Sequence, residues 1–132
     1  IMTVERLIQD GHEVGLHYEF GWSYDTNEKN LEKLEKELSY LRDIFGDQHF
    51  TSISPHEPSR TGDMKFTKAF MKRNNIKLHS YDSRLMSKFK YISDSSCRWR
   101  EGCMSIWIRK KIPLYILTHP IWWYRNSPGE CY

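Results

Sequence analysis

The sequence lacks the features that would place it in a membrane, repeat or nucleic-acid-binding class. No apolar run approaches the roughly 20 residues that a membrane-spanning helix requires, so no membrane span is predicted. Twenty basic residues against 17 acidic ones give a mild excess, which by itself supports neither a nucleic-acid partner nor a membrane-surface patch. No repeat, low-complexity stretch or linker interrupts the chain, so we predict a single domain over residues 1–132.

Cysteine is scarce as well. The three cysteines, Cys97, Cys103 and Cys131, are odd in number and show none of the close pair spacing of a zinc ribbon. Because disulfides are rare in the cytosol, we predict unpaired thiols in a reducing compartment. No signal peptide stands at the start, and we expect a cytoplasmic location. The chain begins at Ile1 within a helical pattern, however, so the possibility of an export signal upstream stays open.

A long amphipathic helix is the element that the sequence indicates most strongly. Glu and Lys pairs decorate its exposed face, and Gly46 follows it as a residue suited to end a helix. The apolar stripe spans too few heptads for a coiled coil, so we expect it to pack on a sheet. The stripe consists of Leu31, Leu34, Leu38, Leu41 and Phe45.

The other predicted elements alternate between helix and strand. A short helix contains Val4, Leu7 and Ile8, and a second helix is predicted over residues 64–73. Residues 102–111 are ambiguous between helix and strand. This order predicts an α/β layer or barrel with parallel strands. The predicted strands cover residues 14–18, 50–54, 76–81, 90–93 and 113–118.

Residues 11–19 place two imidazoles and two carboxylates in a strand-like segment. The alternation of Val14, Leu16 and Tyr18 marks one apolar face, so His17 and Glu19 share the opposite face. A histidine and a carboxylate two residues apart on one face can converge on a metal ion. Open α/β folds build their sites at such strand ends, and we therefore predict a metal-bearing strand here.

Two further histidines follow predicted strands. His56 comes after the second strand, and His119 comes after the apolar run at 113–118. The carboxyl ends of parallel strands lie on one edge of a sheet, so these histidines and His17 can meet there. Two histidines and a carboxylate suit a hydrolytic metal that keeps one position for water, and the remaining histidine can act as a general acid.

Three short motifs, taken together, resemble those of the polysaccharide deacetylase superfamily. Residues 11–17 look like its second motif, in which the final histidine binds metal, and residues 117–119 look like its last Leu-x-His motif. Between them, residues 91–99 resemble the Asp-to-Trp motif that lines the pocket. The superfamily comprises metal-dependent carbohydrate esterases, including the nodulation chitooligosaccharide deacetylases. The chain is especially similar to a variant branch from surface-polysaccharide clusters.

The resemblance implies a distorted, incomplete (β/α) barrel and a divalent metal of the zinc type. His17 would be a metal ligand, and His56 would replace the second motif histidine, whose position is occupied by Gly21. His119 would be the catalytic acid. From its residue type, Asp94 is a candidate for holding this histidine or an anionic glycan, or for an ordinary salt-bridge network. The first motif, a strand ending in paired aspartates, would lie upstream of residue 1. We therefore expect a partial catalytic domain that lacks the first barrel strand and binds metal weakly.

Three interpretations of Glu19 stay open: it is a direct metal ligand, a partner that orients His17, or a surface charge. Arg98 is a candidate for holding an anionic glycan or for an ordinary salt-bridge network. The tryptophans Trp99, Trp122 and Trp123 are candidates for a platform on which a sugar ring stacks, or for barrel core.

Together these features predict a metal-dependent hydrolase that removes acetyl groups from N-acetylated sugars of a polysaccharide or its precursor. The alternative is a non-catalytic carbohydrate-binding or interaction module, in which the aromatic residues bind glycan and the histidines are structural. Neither function predicts a nucleic-acid partner, and the sequence does not predict an oligomeric state.

Overall fold

A computed structural model describes residues 2–19, 27–56 and 66–123, which belong to two compact units: Ile1–Tyr81 and Asp82–Tyr132. In both units, helices alternate with short parallel strands, which is an α/β arrangement. The barrel remains a prediction, since the described strands form two small sheets that do not close. None of the helices described is long and apolar enough to cross a membrane.

The first unit is a three-stranded parallel sheet with its helices in the crossovers. The strand order is β1-β2-β3, and His17 lies opposite Ser54 in the register between β1 and β2. The elements in chain order are α1 (Met2–Gln9), β1 (Leu16–Tyr18), α2 (Asn27–Phe45), β2 (Ser52–Pro55), α3 (Lys68–Arg73) and β3 (Leu78–His79).

The second unit is built around two parallel strands. Helix α5 lies between them in the chain, and the strands pair from Lys90 with Leu114 to Ser93 with Leu117. The elements are α4 (Ser83–Met86), β4 (Lys90–Ser93), a 3-10 turn (Ser95–Cys97), α5 (Met104–Arg109), β5 (Leu114–Leu117) and a second 3-10 turn (Pro120–Trp123).

Helix α2 contributes apolar side chains to the core of the first unit, and the apolar stripe predicted for this helix is confirmed. Leu34 and Leu38 are fully buried in one cluster with Ile53 of β2, while the other three stripe residues pack against that cluster. Gly46 ends the helix with a φ of 104°, a left-handed conformation that glycine adopts without a steric penalty. The sheet face under α2 is therefore the one that carries Ile53.

The structure shifts several predicted boundaries by a few residues and resolves the ambiguous segment. Helix α3 begins at Lys68, because the Thr67 hydroxyl accepts a hydrogen bond from the Phe70 N–H and caps the helix there. Phe66 therefore precedes the helix, although its ring still stacks on Phe70. Strand β3 has two residues instead of six, and the ambiguous segment 102–111 contains helix α5.

The prediction of three free thiols is wrong for Cys97, which is disulfide-bonded. The spacing of cysteines in a sequence does not show which sulfur atoms approach each other in space, and this is what decides a disulfide. Cys103 is free, as predicted, and it is exposed; the Ser105 hydroxyl lowers the pKa of its thiol. Cys131 lies outside the described residues.

Candidate functional site

The backbone of β1 and β2 places His17 and His56 on the same face at the carboxyl ends of neighbouring strands. His17 lies opposite Ser54, and side chains two residues apart on a strand share a face, so His56 follows Ser54 on the side of His17. The His56 N–H also donates to the Tyr18 carbonyl at 2.8 Å, which extends the parallel ladder by one bond. Hydrogen bonds of the sheet thus fix both histidines.

The two imidazoles meet at the distance expected for a shared cation. His17 Nε2 lies 3.1 Å from His56 Nδ1, and the rings are nearly perpendicular, at 88°. Two nitrogen ligands of tetrahedral zinc, each about 2.0–2.1 Å from the metal, lie about 3.3 Å apart. Both histidines are exposed, so a cation can reach them. The pair therefore fits two positions of a zinc-type site, and one ring donates a hydrogen bond to the other without metal.

Glu19, the third predicted ligand, is not grouped with the two histidines. Among residues 2–19, 27–56 and 66–123, no three His, Cys, Asp or Glu side chains gather closely enough to hold a metal ion. Glu19 follows β1 and is exposed, and its main-chain carbonyl accepts a hydrogen bond from Lys33 Nζ at 2.8 Å. The described residues therefore provide a two-histidine pair and not the three-ligand set.

Small residues share this face of the sheet with the histidine pair. Ser80 donates a hydrogen bond to Ser54 at 2.9 Å, one strand away from His17. Gly15 lies so close to β2 that a Cβ placed on it would meet the Ser52 hydroxyl and would stand 2.7 Å from the Ser52 carbonyl oxygen. A side chain at residue 15 would therefore push β1 away from β2 just before His17.

Sequence reasoning missed a second polar contact, on the opposite face of the same sheet. The Tyr18 hydroxyl lies 3.1 Å from His79 Nε2, and Tyr18 is only 2% exposed. Burial raises the pKa of the Tyr18 phenol above its ordinary value, because the buried environment disfavours the phenolate. The alternation in β1 places Tyr18 on the apolar face of the sheet. Strand β3 has only two residues, so it shows no alternation from which His79 could be assigned to the same face.

In the second unit, the structure brings Asp94 and His119 together at the ends of β4 and β5. His119 Nδ1 lies 2.6 Å from Asp94 Oδ1, and the His119 N–H lies 3.0 Å from both carboxylate oxygens. Asp94 is only 3% exposed. A carboxylate accepts but does not donate, so Nδ1 carries the proton and Nε2 is on the opposite edge of the ring. This arrangement fixes the tautomer of the histidine.

The chain immediately after Asp94 turns sharply. Ser96 and Cys97 have φ values of 56° and 60°, which is the left-handed region that residues other than glycine rarely occupy. The Ser93 hydroxyl accepts a hydrogen bond from the Ser95 N–H at 3.0 Å, which closes the start of the turn. The Asp94 N–H donates to the Leu117 carbonyl and continues the pairing with β5. The main chain on both sides of the Asp94 side chain is thus held by hydrogen bonds.

The predicted sugar-binding residues differ in exposure. Trp122 is half-buried with its ring centroid 6.5 Å from that of His119, and its indole N–H is buried without a hydrogen-bond partner among the residues described. Trp123 is 66% exposed and Trp99 is 37% exposed. Arg98 is exposed. Trp122 is thus the member of this set that contacts the candidate acid.

Comparison with known proteins provides no assignment. No family model matches the chain, and neither a curated protein nor a solved structure matches it. The class supported by the residues themselves is an α/β protein with a two-histidine pair in one unit and an Asp–His pair in the other.

Proposed function

We propose that the chain is the histidine-bearing part of a metal-dependent carbohydrate N-deacetylase. The observation that carries the proposal is the 3.1 Å approach of His17 Nε2 to His56 Nδ1, two residues that are 39 positions apart in the chain. Both stand at the carboxyl ends of parallel strands, where α/β folds place their active sites. The resemblance of residues 11–17 and 117–119 to deacetylase motifs supports the same function.

His17 and His56 would hold a divalent cation, for which zinc is the first choice because imidazole suits it. When bound, such a cation acts as a Lewis acid toward an amide carbonyl. The resemblance assigns a further ligand to an aspartate of the family's first motif. Among the described residues, no third His, Cys, Asp or Glu joins the two histidines. We therefore expect weak metal binding by residues 1–132 alone.

The resemblance assigns to His119, in the second unit, the role of supplying the proton that amide hydrolysis requires. The oxygen of water would bond to the acetyl carbon and give up a proton to the aspartate that the resemblance names as the base. The carbon–nitrogen bond would break, the sugar amine would leave with a proton from His119, and acetate would be released. With Nδ1 held by Asp94, the second proton of an imidazolium is at Nε2, from which it can pass to the departing nitrogen. Asp94 would keep the ring in this tautomer and would stabilise the cation.

The histidine roles are tested by calorimetric titration of the chain with zinc. We expect His17→Ala and His56→Ala each to weaken zinc binding at least about tenfold, since each removes one of two ligands. His12→Ala is the matched control, because His12 is an exposed histidine of the same unit and should leave the affinity unchanged. Equal zinc affinity in the chain and in both site variants would overturn the metal assignment.

The reaction is tested in the full-length protein by release of acetate from an N-acetylated oligosaccharide. We expect His119→Ala to lower the rate by about 100-fold or more, which is the usual contribution of a general acid. The His12→Ala control should keep the full rate. An unchanged rate in His119→Ala would exclude the acid role of this residue.

The exposed indole of Trp123 supports a second candidate, a non-catalytic carbohydrate-binding module. Such a module would bind the oligosaccharide without zinc and release no acetate. Trp123→Ala would then abolish binding, while His17→Ala would leave it intact. Zinc-dependent acetate release by the full-length protein would exclude this alternative.

A further inference from the structure

His79 has a defined tautomer, because one of its two ring nitrogens faces a group that can only donate. The Tyr81 N–H donates to His79 Nδ1 at 3.2 Å. Nδ1 is therefore unprotonated, and the proton of the neutral ring is on Nε2. His79 Nε2–H accordingly donates to the Tyr18 oxygen at 3.1 Å. The imidazole thus links the main chain after β3 to a buried hydroxyl on β1.

This link crosses the whole three-stranded sheet. Tyr18 belongs to β1, one edge of the sheet, and His79 belongs to β3, the other edge, with β2 between them. The Tyr18 ring reaches its partner on the face that packs under α2, where it is part of the buried cluster. The contact therefore ties together the carboxyl ends of the strands.

Tyr18 also contacts both members of the histidine pair through the main chain. It directly follows His17, and its carbonyl accepts the His56 N–H at 2.8 Å. A shift of Tyr18 along β1 would move His17 with it and would lengthen the bond to His56. The position of the Tyr18 side chain and the separation of the two imidazoles are thus coupled by covalent geometry and one hydrogen bond.

We propose that His79 is a positioning residue, which fixes the His17–His56 pair through the Tyr18 hydroxyl. The inference rests on the proposed function for the purpose of the pair, but the positioning itself can be measured without metal. The aromatic packing around His79 makes the test practicable. Rings of Tyr18, Phe66 and Tyr81 surround it at centroid distances of 5.6 to 6.4 Å, so a substitution of similar size keeps most of the packing.

Two substitutions separate the two hydrogen bonds of His79. The side-chain amide of Gln reproduces the donor at the Nε2 position, whereas the amide of Asn reproduces the acceptor at the Nδ1 position. His79→Gln therefore keeps the bond to Tyr18 and loses the one to Tyr81, and His79→Asn does the reverse. Tyr18→Phe removes the same link from the other end while it preserves the ring.

The first measurement is the nitrogen NMR spectrum of the His17 and His56 imidazoles in the metal-free chain. We expect His79→Asn and Tyr18→Phe to shift these signals and His79→Gln to leave them close to those of the unaltered chain. His49→Ala is the control, since the side chain of His49 contacts the neighbouring Gln48. Melting temperatures of all variants show whether a shift reflects general loss of structure.

The second measurement is zinc affinity, which we expect to fall about tenfold in His79→Asn and in Tyr18→Phe but not in His79→Gln, by analogy with residues that orient metal ligands. Unshifted imidazole signals in both His79→Asn and Tyr18→Phe would overturn the positioning role, as would equal shifts in His79→Asn and His79→Gln. If the signals shift as expected but His17→Ala binds zinc normally, the positioning stands and the proposed function fails.

Discussion

The two units hold their histidines in different ways. In the first unit, His17 and His56 are exposed, face each other, and are placed by the hydrogen bonds of a sheet whose other face is covered by apolar side chains. In the second unit, His119 faces Asp94, a carboxylate that is itself among the few buried residues. The first site therefore depends on the geometry of the sheet, and the second depends on one buried polar group.

This difference indicates different chemistry. The nitrogens of two imidazoles that face each other present lone pairs that a cation can share. An imidazole against a carboxylate has a fixed tautomer and a stabilised cationic form, which suits proton transfer. We therefore expect the second site to be disrupted by loss of its one carboxylate, and the first site to be most sensitive to changes that displace its strands.

The largest effect is expected from Asp94→Asn. The substitution replaces a buried acceptor of charge-assisted hydrogen bonds with a neutral amide, so we expect a loss of about 2 kcal/mol in the free energy of unfolding. The tautomer of His119 should also become mixed. Urea unfolding and nitrogen NMR of His119 measure the two effects. Asp43 is exposed, so Asp43→Asn is the control and should change neither the free energy of unfolding nor the His119 tautomer. A single, unchanged His119 tautomer in Asp94→Asn would show that Asp94 does not fix it.

Gly15→Ala tests how far the histidine pair of the first unit depends on the spacing of β1 and β2. The new methyl group would collide with the Ser52 carbonyl, so we expect a loss of about 1–2 kcal/mol of stability and weaker zinc binding by the displaced pair. Ser52→Ala removes the hydroxyl contact but leaves that carbonyl, so the double variant Gly15→Ala with Ser52→Ala should remain destabilised. Recovery of full stability in the double variant would show that the hydroxyl, and not the backbone, sets this distance.

The smallest effect is expected at Glu35, which links α2 to α3 away from the histidines. The Asn74 amide and then the Arg73 guanidinium hold the pKa of the Glu35 carboxyl below its usual range. A depressed pKa in the folded state contributes stability above the unfolded pKa, and that contribution is lost as pH falls through the folded pKa.

Glu35→Gln should accordingly cost about 0.5–1 kcal/mol at pH 7 and almost nothing well below pH 4. Glu37→Gln on the same helix is the control, since its ion pair with Lys33 is long, at 3.7 Å, and exposed. Zinc affinity should be the same in both variants. A pH-independent loss in Glu35→Gln would rule out the proposed electrostatic origin.

Periodicity explains how much of this arrangement the sequence predicts. The stripe on α2 and the alternation in β1 follow directly from side-chain spacing, and the parallel strand ends bring His56 to His17. The contact between Tyr18 and His79 could not be predicted, because it joins residues 61 positions apart through a strand too short to carry a pattern. The disulfide of Cys97 likewise depends on distances that spacing does not encode.

The most direct test of the central claim is nitrogen NMR of all histidine side chains during titration of the chain with zinc. We expect the signals of His17 Nε2 and His56 Nδ1 to move together toward those of metal-bound nitrogen. The signals of the exposed His12 should not move. Movement of any other pair of nitrogens, or of neither member of this pair at saturating zinc, would contradict the central claim.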